Sequence, residues 1–186
     1  AGQLKGPSDH DVPVLAVHDA EGQLKTVLFG YACHATVLSF YQWSGDYPGF
    51  AQIELEKALP GCQAMFFAGC GGDQNPLPRR EVELARQYGK RLADAVRKVL
   101  EEDLKPVQGT LRTRYTEIPL PLDTLPTREE VQQQLTSKNR YEVARARMLL
   151  DLIERDGALA STYPYPVSVW QFGDDVQLVI LGGEVV

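Results

Sequence analysis

Cys62-Gln63-Ala64-Met65-Phe66-Phe67-Ala68-Gly69-Cys70-Gly71-Gly72-Asp73-Gln74-Asn75-Pro76 reads as an apolar strand that breaks into a glycine-rich loop with polar side chains. Glycine at 69, 71 and 72 is more than a simple turn needs; it admits close backbone approach and positive φ. The loop has two readings, a tight strand-to-helix connection or a site built at a strand end.

The flanking elements set the fold class. Upstream, Val12–His18 reads as a first strand, Asp19-Ala20-Glu21-Gly22 as a turn and Lys25–Cys33 as a returning strand. Alternation puts His18 on the face of Val14 and Ala16, and the run Val27-Leu28-Phe29 predicts burial on both faces. Asp46 is placed to cap a helix carrying Pro48 in its first turn and an apolar face of Ala51, Leu55, Ala58 and Leu59. Pro60-Gly61 stops that helix, and the strand–helix–strand unit predicts an α/β fold with a mixed β-sheet core and flanking helices.

Downstream, Arg79–Asp103 keeps helical spacing through Leu84, Tyr88, Leu92, Val96 and Leu100. Val107–Leu122 reads as extended, with Pro119 and Pro121 placing its end at a sheet edge. Thr127-Arg128-Glu129-Glu130 is a capping box, and Asn139–Asp156 predicts a further helix closed by Gly157. Val167–Phe172 and Val176–Leu181 flank Gly173-Asp174-Asp175 as a hairpin.

At 186 residues, with 44% hydrophobic and 24% charged side chains, the chain has the composition of one ordinary globular domain. Its net charge of -6 gives no general basic footprint for nucleic acid or an anionic membrane. Its apolar runs are too short to be a transmembrane segment. The chain opens on Ala1-Gly2 without a leader pattern and stops just after a strand-like run. It is therefore expected to be a single-domain fragment, 1–186, of a longer protein.

Three histidines and three cysteines bear on chemistry. His10 lies between Asp9 and Asp11, a metal-like or simply water-facing loop, and His18 precedes a surface turn. Cys33 and Cys62 read as small buried hydrophobes, and Cys70 as a minor nucleophile candidate. His34 ends an apolar strand, where an imidazole must be hydrogen-bonded or used, and neutral imidazole is a common zinc ligand. Glu184 also follows an apolar strand, after Gly182-Gly183. Three strand ends thus converge in this reading: His34, the Asp73–Asn75 loop and Glu184. Ser44-Gly45-Asp46 reads as a helix cap, with a helix N-terminus that could also bind an oxyanion.

Four ordered segments resemble the neutral, non-lysosomal ceramidase family in its N-terminal catalytic domain. They are Phe29-Gly30-Tyr31-Ala32-Cys33-His34-Ala35-Thr36, Ser44-Gly45-Asp46-Tyr47-Pro48-Gly49, Phe67–Pro76 and Leu181-Gly182-Gly183-Glu184. The resemblance implies part of a larger ceramidase-like catalytic domain, a zinc amidase that splits an N-acyl bond. It also implies a lipid-like or other acyl-amide substrate and a secreted or periplasmic parent. By resemblance, His34 and Glu184 are two of the four zinc ligands, and the remaining histidine and tyrosine lie outside the chain. The fragment is then expected to be inactive alone.

The glycine loop becomes the floor of the site, with Gly71 and Gly72 as substrate contacts and Asp73 and Asn75 as catalytic positions. Asn75 stands where the family has its serine. An amide cannot act as a nucleophile, but it can donate a hydrogen bond to an oxyanion, and metal-activated water could attack in place of the serine. The change leaves two alternatives open: a non-catalytic binding module, or a zinc hydrolase of a different amide or ester.

Overall fold

β2 (Leu24–Tyr31) is the axis of the first sheet. In the computed structural model, which describes residues 6–183, it pairs antiparallel with β1 (Val14–His18) and parallel with β3 (Gln63–Ala68). The parallel pairing requires a crossover, and α1 (Asp46–Ala58) supplies it. The α/β expectation is borne out, and the predicted mixed sheet is this one, in the order β1-β2-β3.

The chain groups into two compact units, one running through Pro106 and one spanning Val107–Gly182. In the first, α1 and α2 (Val82–Leu100) share one core with the inner face of the sheet. Val27 and Phe29 are completely buried there with Ala64, Ala51, Leu55 and Val96. Phe29, Phe66, Tyr47 and Tyr31 form a chain of edge-to-face aromatic contacts with ring centroids 5.5–6.5 Å apart. Burial is one-sided at Leu28, which is only half-buried, because both helices pack against the opposite face.

Local differences from the sequence reading have physical causes. The register of β1 on β2 shifts between Val17 and His18, so strict alternation ends before His18, which is exposed. The α2 helix starts at Val82 rather than Arg79, because Arg80 adopts a left-handed φ of 86°. Gly45, not Asp46, occupies the N-cap position of α1, and no side chain caps it.

The second unit holds an antiparallel sheet of β4 (Leu111–Pro121), β5 (Thr162–Phe172) and β6 (Val176–Leu181), with helices α3 (Arg128–Gln134) and α4 (Arg140–Asp156). Pro119 and Pro121 lie on the edge strand β4, as expected. The central strand begins five residues earlier than the sequence indicated: Pro164 and Pro166 belong to β5. They are tolerated because β6 pairs only with Val167–Phe172, leaving the proline stretch with β4 as its single partner. The Thr127–Glu130 capping box forms in both directions, and Asn139 caps α4.

Gly89 sets the distance between α1 and α2. A Cβ there would lie 2.5 Å from the Phe50 Cβ, 2.7 Å from the Tyr47 oxygen and 2.8 Å from the Ala51 nitrogen. Two of these atoms are backbone and cannot rotate away. Gly89→Ala is expected to lower the unfolding free energy by roughly 1–3 kcal/mol, read from urea denaturation, through overpacking of the helix pair.

Candidate functional site: two stitched loops at the ends of β2 and β3

Parallel pairing brings the C-terminal ends of β2 and β3 side by side, with Tyr31 opposite Ala68. The chain leaves both strands there, and the two departing loops are joined by hydrogen bonds. The His34 amide donates to the Gln74 carbonyl at 2.9 Å. The His34 ring places Nδ1 at 2.8 Å from the Gly71 oxygen and 3.0 Å from the Gln74 oxygen. Farther along, the Thr36 hydroxyl donates to Asn75 Oδ1 at 3.4 Å, and the Arg80 amide donates to the Val37 oxygen.

These contacts assign the imidazole tautomer. Carbonyl oxygens only accept, so Nδ1 carries the hydrogen, and in the neutral ring Nε2 holds the lone pair. A metal-ligating histidine is commonly oriented in this way, by a carbonyl on its other nitrogen. His34 therefore fits the chemistry of a zinc ligand. Its expected companion Glu184 lies outside the described residues. Among the described residues, no three His, Cys, Asp or Glu side chains stand close enough to hold a metal.

Gly71 explains how the loops come so close. It is buried, and a Cβ on it would sit 2.6 Å from the Cys33 nitrogen and 2.8 Å from the Ala32 carbonyl carbon. Its carbonyl is taken by His34. Gly71 thus works as a spacer between loops, while Gly72 beside it is half-buried. Asp73 and Asn75 are exposed and line a groove of about 840 Å³. His10, Tyr31, Tyr88 and Arg91 contribute to the same wall. His34 is not part of that wall, because its ring is turned to the loop backbone. His10 sets its Nδ1 at 3.4 Å from the Tyr31 hydroxyl.

Asp46 does something the sequence did not reveal. It is 6% exposed and adopts a left-handed φ of 51°, which Asp tolerates better than most residues. Its carboxylate accepts from the amides of Val37 at 3.2 Å, Leu38 at 2.8 Å and Tyr47 at 2.7 Å. Instead of capping a helix, it anchors the loop that carries His34 to the start of α1. Tyr47 adds a second anchor, its hydroxyl donating to the Cys33 oxygen at 2.7 Å. Burial pushes the Tyr47 phenol well above its usual range, which keeps it a donor. Asp46→Ala leaves three amides without their acceptor and is expected to cost roughly 3 kcal/mol in urea denaturation.

The cysteines divide by environment. Cys70 is exposed, Cys33 is half-buried with Sγ at 3.6 Å from the Gln74 oxygen, and Cys62 is buried. Burial, and then the nearby Asp46 charge, raise the Cys33 pKa. Burial likewise raises that of Cys62. Ellman's reagent at pH 8 is expected to react quickly with Cys70 and with Cys33 and Cys62 only on unfolding. A thiol whose folded pKa is raised supports the fold below its unfolded value and withdraws that support as pH rises. The denaturation midpoint should therefore fall above about pH 8.5, and less steeply in Cys33→Ala.

No family profile and no curated protein matches this sequence. Solved structures do. The neutral ceramidase from Pseudomonas aeruginosa superposes on 92% of this chain with a TM-score of 0.61 at 16% identity. A ceramidase solved in complex with C2 superposes on the same share with a TM-score of 0.64, also at 16% identity. The fold is ceramidase-like. This chain covers only 34% and 36% of those two chains, about a third of their length. The resemblance read from four short segments is thus borne out at the level of the fold.

Within that ceramidase-like fold, the sequence pointed to His34, Asp73 and Asn75 as candidates, and the structure adds their contacts: Gln74 with His34, and Thr36 and Arg79 with Asn75. Arg79 has its Nη1 at 3.1 Å from Asn75 Oδ1. Its spacing, four residues after Asn75, was visible, but the helical pattern put Arg79 at the start of a helix. No helix among the described residues is long and apolar enough to cross a membrane.

Proposed function

We propose that this chain is part of the catalytic domain of a longer zinc-dependent hydrolase of acyl amides, with a lipid-like amide as substrate. The observation that carries the reading is the His34 ring, oriented through Nδ1 by two loop carbonyls, beside a loop that bears Asp73 and Asn75. The ceramidase-like fold supports it, since the two solved proteins compared above are named as ceramidases.

In this reading His34, together with Glu184 and ligands from the rest of the protein, would hold the metal. Zinc would supply Lewis acidity, which activates a water and polarises a carbonyl. The chain's own residues then have separate tasks. His34 is kept in one tautomer and orientation by Gly71 and Gln74. Asp46 and Tyr47 hold its loop against α1. Asn75 has its Oδ1 engaged by Arg79 and Thr36, so the amide NH₂ is the group it can turn to a substrate oxygen. That is a donor's part, suited to an oxyanion and not to nucleophilic attack.

The test is metal analysis and turnover of the full-length protein. About one zinc per chain is expected, lost in His34→Ala, with hydrolysis of at least one member of a panel of N-acyl amides. Wild-type protein without zinc would refute the reading. Asn75 in the serine position favours a second one, a scaffold that binds acyl amides without cleaving them. Zinc bound in wild type with no turnover across amides and esters would establish that reading instead.

A further inference from the structure

We infer that Arg79 is a positioning residue that sets Asn75 as a hydrogen-bond donor to the substrate carbonyl; this rests on the hydrolase reading. A guanidinium carries donors only, so the Asn75 atom at 3.1 Å from Arg79 Nη1 is the carbonyl oxygen Oδ1. The Thr36 hydroxyl points at the same oxygen from the other loop, at 3.4 Å. With Oδ1 occupied from both sides, the planar carboxamide has one orientation, and its NH₂ branch lies opposite Arg79. Asn75 is also one of the residues that line the groove.

Arg79 itself is built into place. The residue before it is tied down by the Tyr88 hydroxyl, which donates to the Pro78 oxygen at 2.7 Å. The residue after it is tied down by the Arg80 amide on Val37. An exposed charged hydrogen bond of this kind adds little to stability. What it adds is orientation, because an unrestrained asparagine amide would present oxygen and nitrogen to the groove in turn. A substrate oxygen that gains negative charge is stabilised only by the nitrogen side.

The pairing also accounts for the departure at position 75. Asparagine in a serine position is a loss if the hydroxyl alone mattered. Coupled to a cation four residues on, it becomes a donor of fixed direction. The site then selects substrates that present an acceptor oxygen at that point.

The test compares Arg79→Met, Arg79→Lys and Asn75→Asp with wild type in the full-length protein, by kinetics on N-acyl amides and by NMR with ¹⁵N-asparagine labelling. Asn75→Asp identifies the Asn75 NH₂ pair by its disappearance. In Arg79→Met that pair should collapse toward the shifts of a free amide, with kcat lowered about 10–100-fold, KM little changed and zinc content intact. Arg79→Lys should recover part of both. An unmoved NH₂ pair in Arg79→Met overturns the inference, as does a collapsed pair with unchanged kcat. If wild type turns over no amide, the hydrolase reading fails; the collapse of the NH₂ pair then still establishes that Arg79 orients Asn75.

Discussion

The His34 imidazole, shared between the carbonyls of Gly71 and Gln74, is the contact on which the rest of this site depends. One ring hydrogen ties the loop after β2 to the loop after β3, and in doing so settles which nitrogen is basic. The contact is possible only because Gly71 lets two backbones approach within a distance that a side chain would forbid. It is kept in register by Asp46, whose buried carboxylate gathers amides from the His34 loop and from the first turn of α1. Sheet, helix and loop are thereby connected through a few polar groups at one end of the strands.

This arrangement follows a general property of α/β sheets. Parallel neighbours joined by a crossover helix end on the same side, and their exits form a shared rim where side chains can converge. Here β2 and β3 supply the rim, and α1 supplies both the crossover and the anchor. The aromatic contacts among Phe29, Phe66, Tyr47 and Tyr31 form the apolar base beneath it. Polar precision at the top rests on close packing below, since Tyr47 both fills the core and donates its hydroxyl to Cys33.

The ceramidase-like fold comes without close sequence likeness, at 16% identity over 92% of the chain. A fold can persist while a site changes chemistry, because packing constrains patterns of residues and chemistry constrains individual ones. In the loop after β3, Gly71 meets the demand of the backbone approach, while position 75 carries an amide engaged by Arg79 and Thr36.

Much of this was legible in the chain. The strand–loop reading of 62–76, the apolar spacing of α1 and α2, and the Thr127 capping box are local signals, and they were realised where periodicity and side-chain chemistry act within a few residues. His34 stood out because a polar ring at the end of an apolar strand needs a partner. What could not be read locally were the partners themselves. Asp46 looked like a cap because caps are short-range; its actual acceptor role spans to Val37 and Leu38 and needed the left-handed turn at 46. Arg79 looked like the start of a helix until the left-handed turn at Arg80 delayed that helix and left Arg79 beside Asn75. Pro164 and Pro166 hid the start of a central strand whose second neighbour is shorter than itself. Composition and periodicity thus determined the elements and their order, which depend on nearest neighbours along the chain. Which loops meet, which ring nitrogen is basic and which way an amide faces were settled by folding, because hydrogen bonds between distant segments have no trace in local sequence.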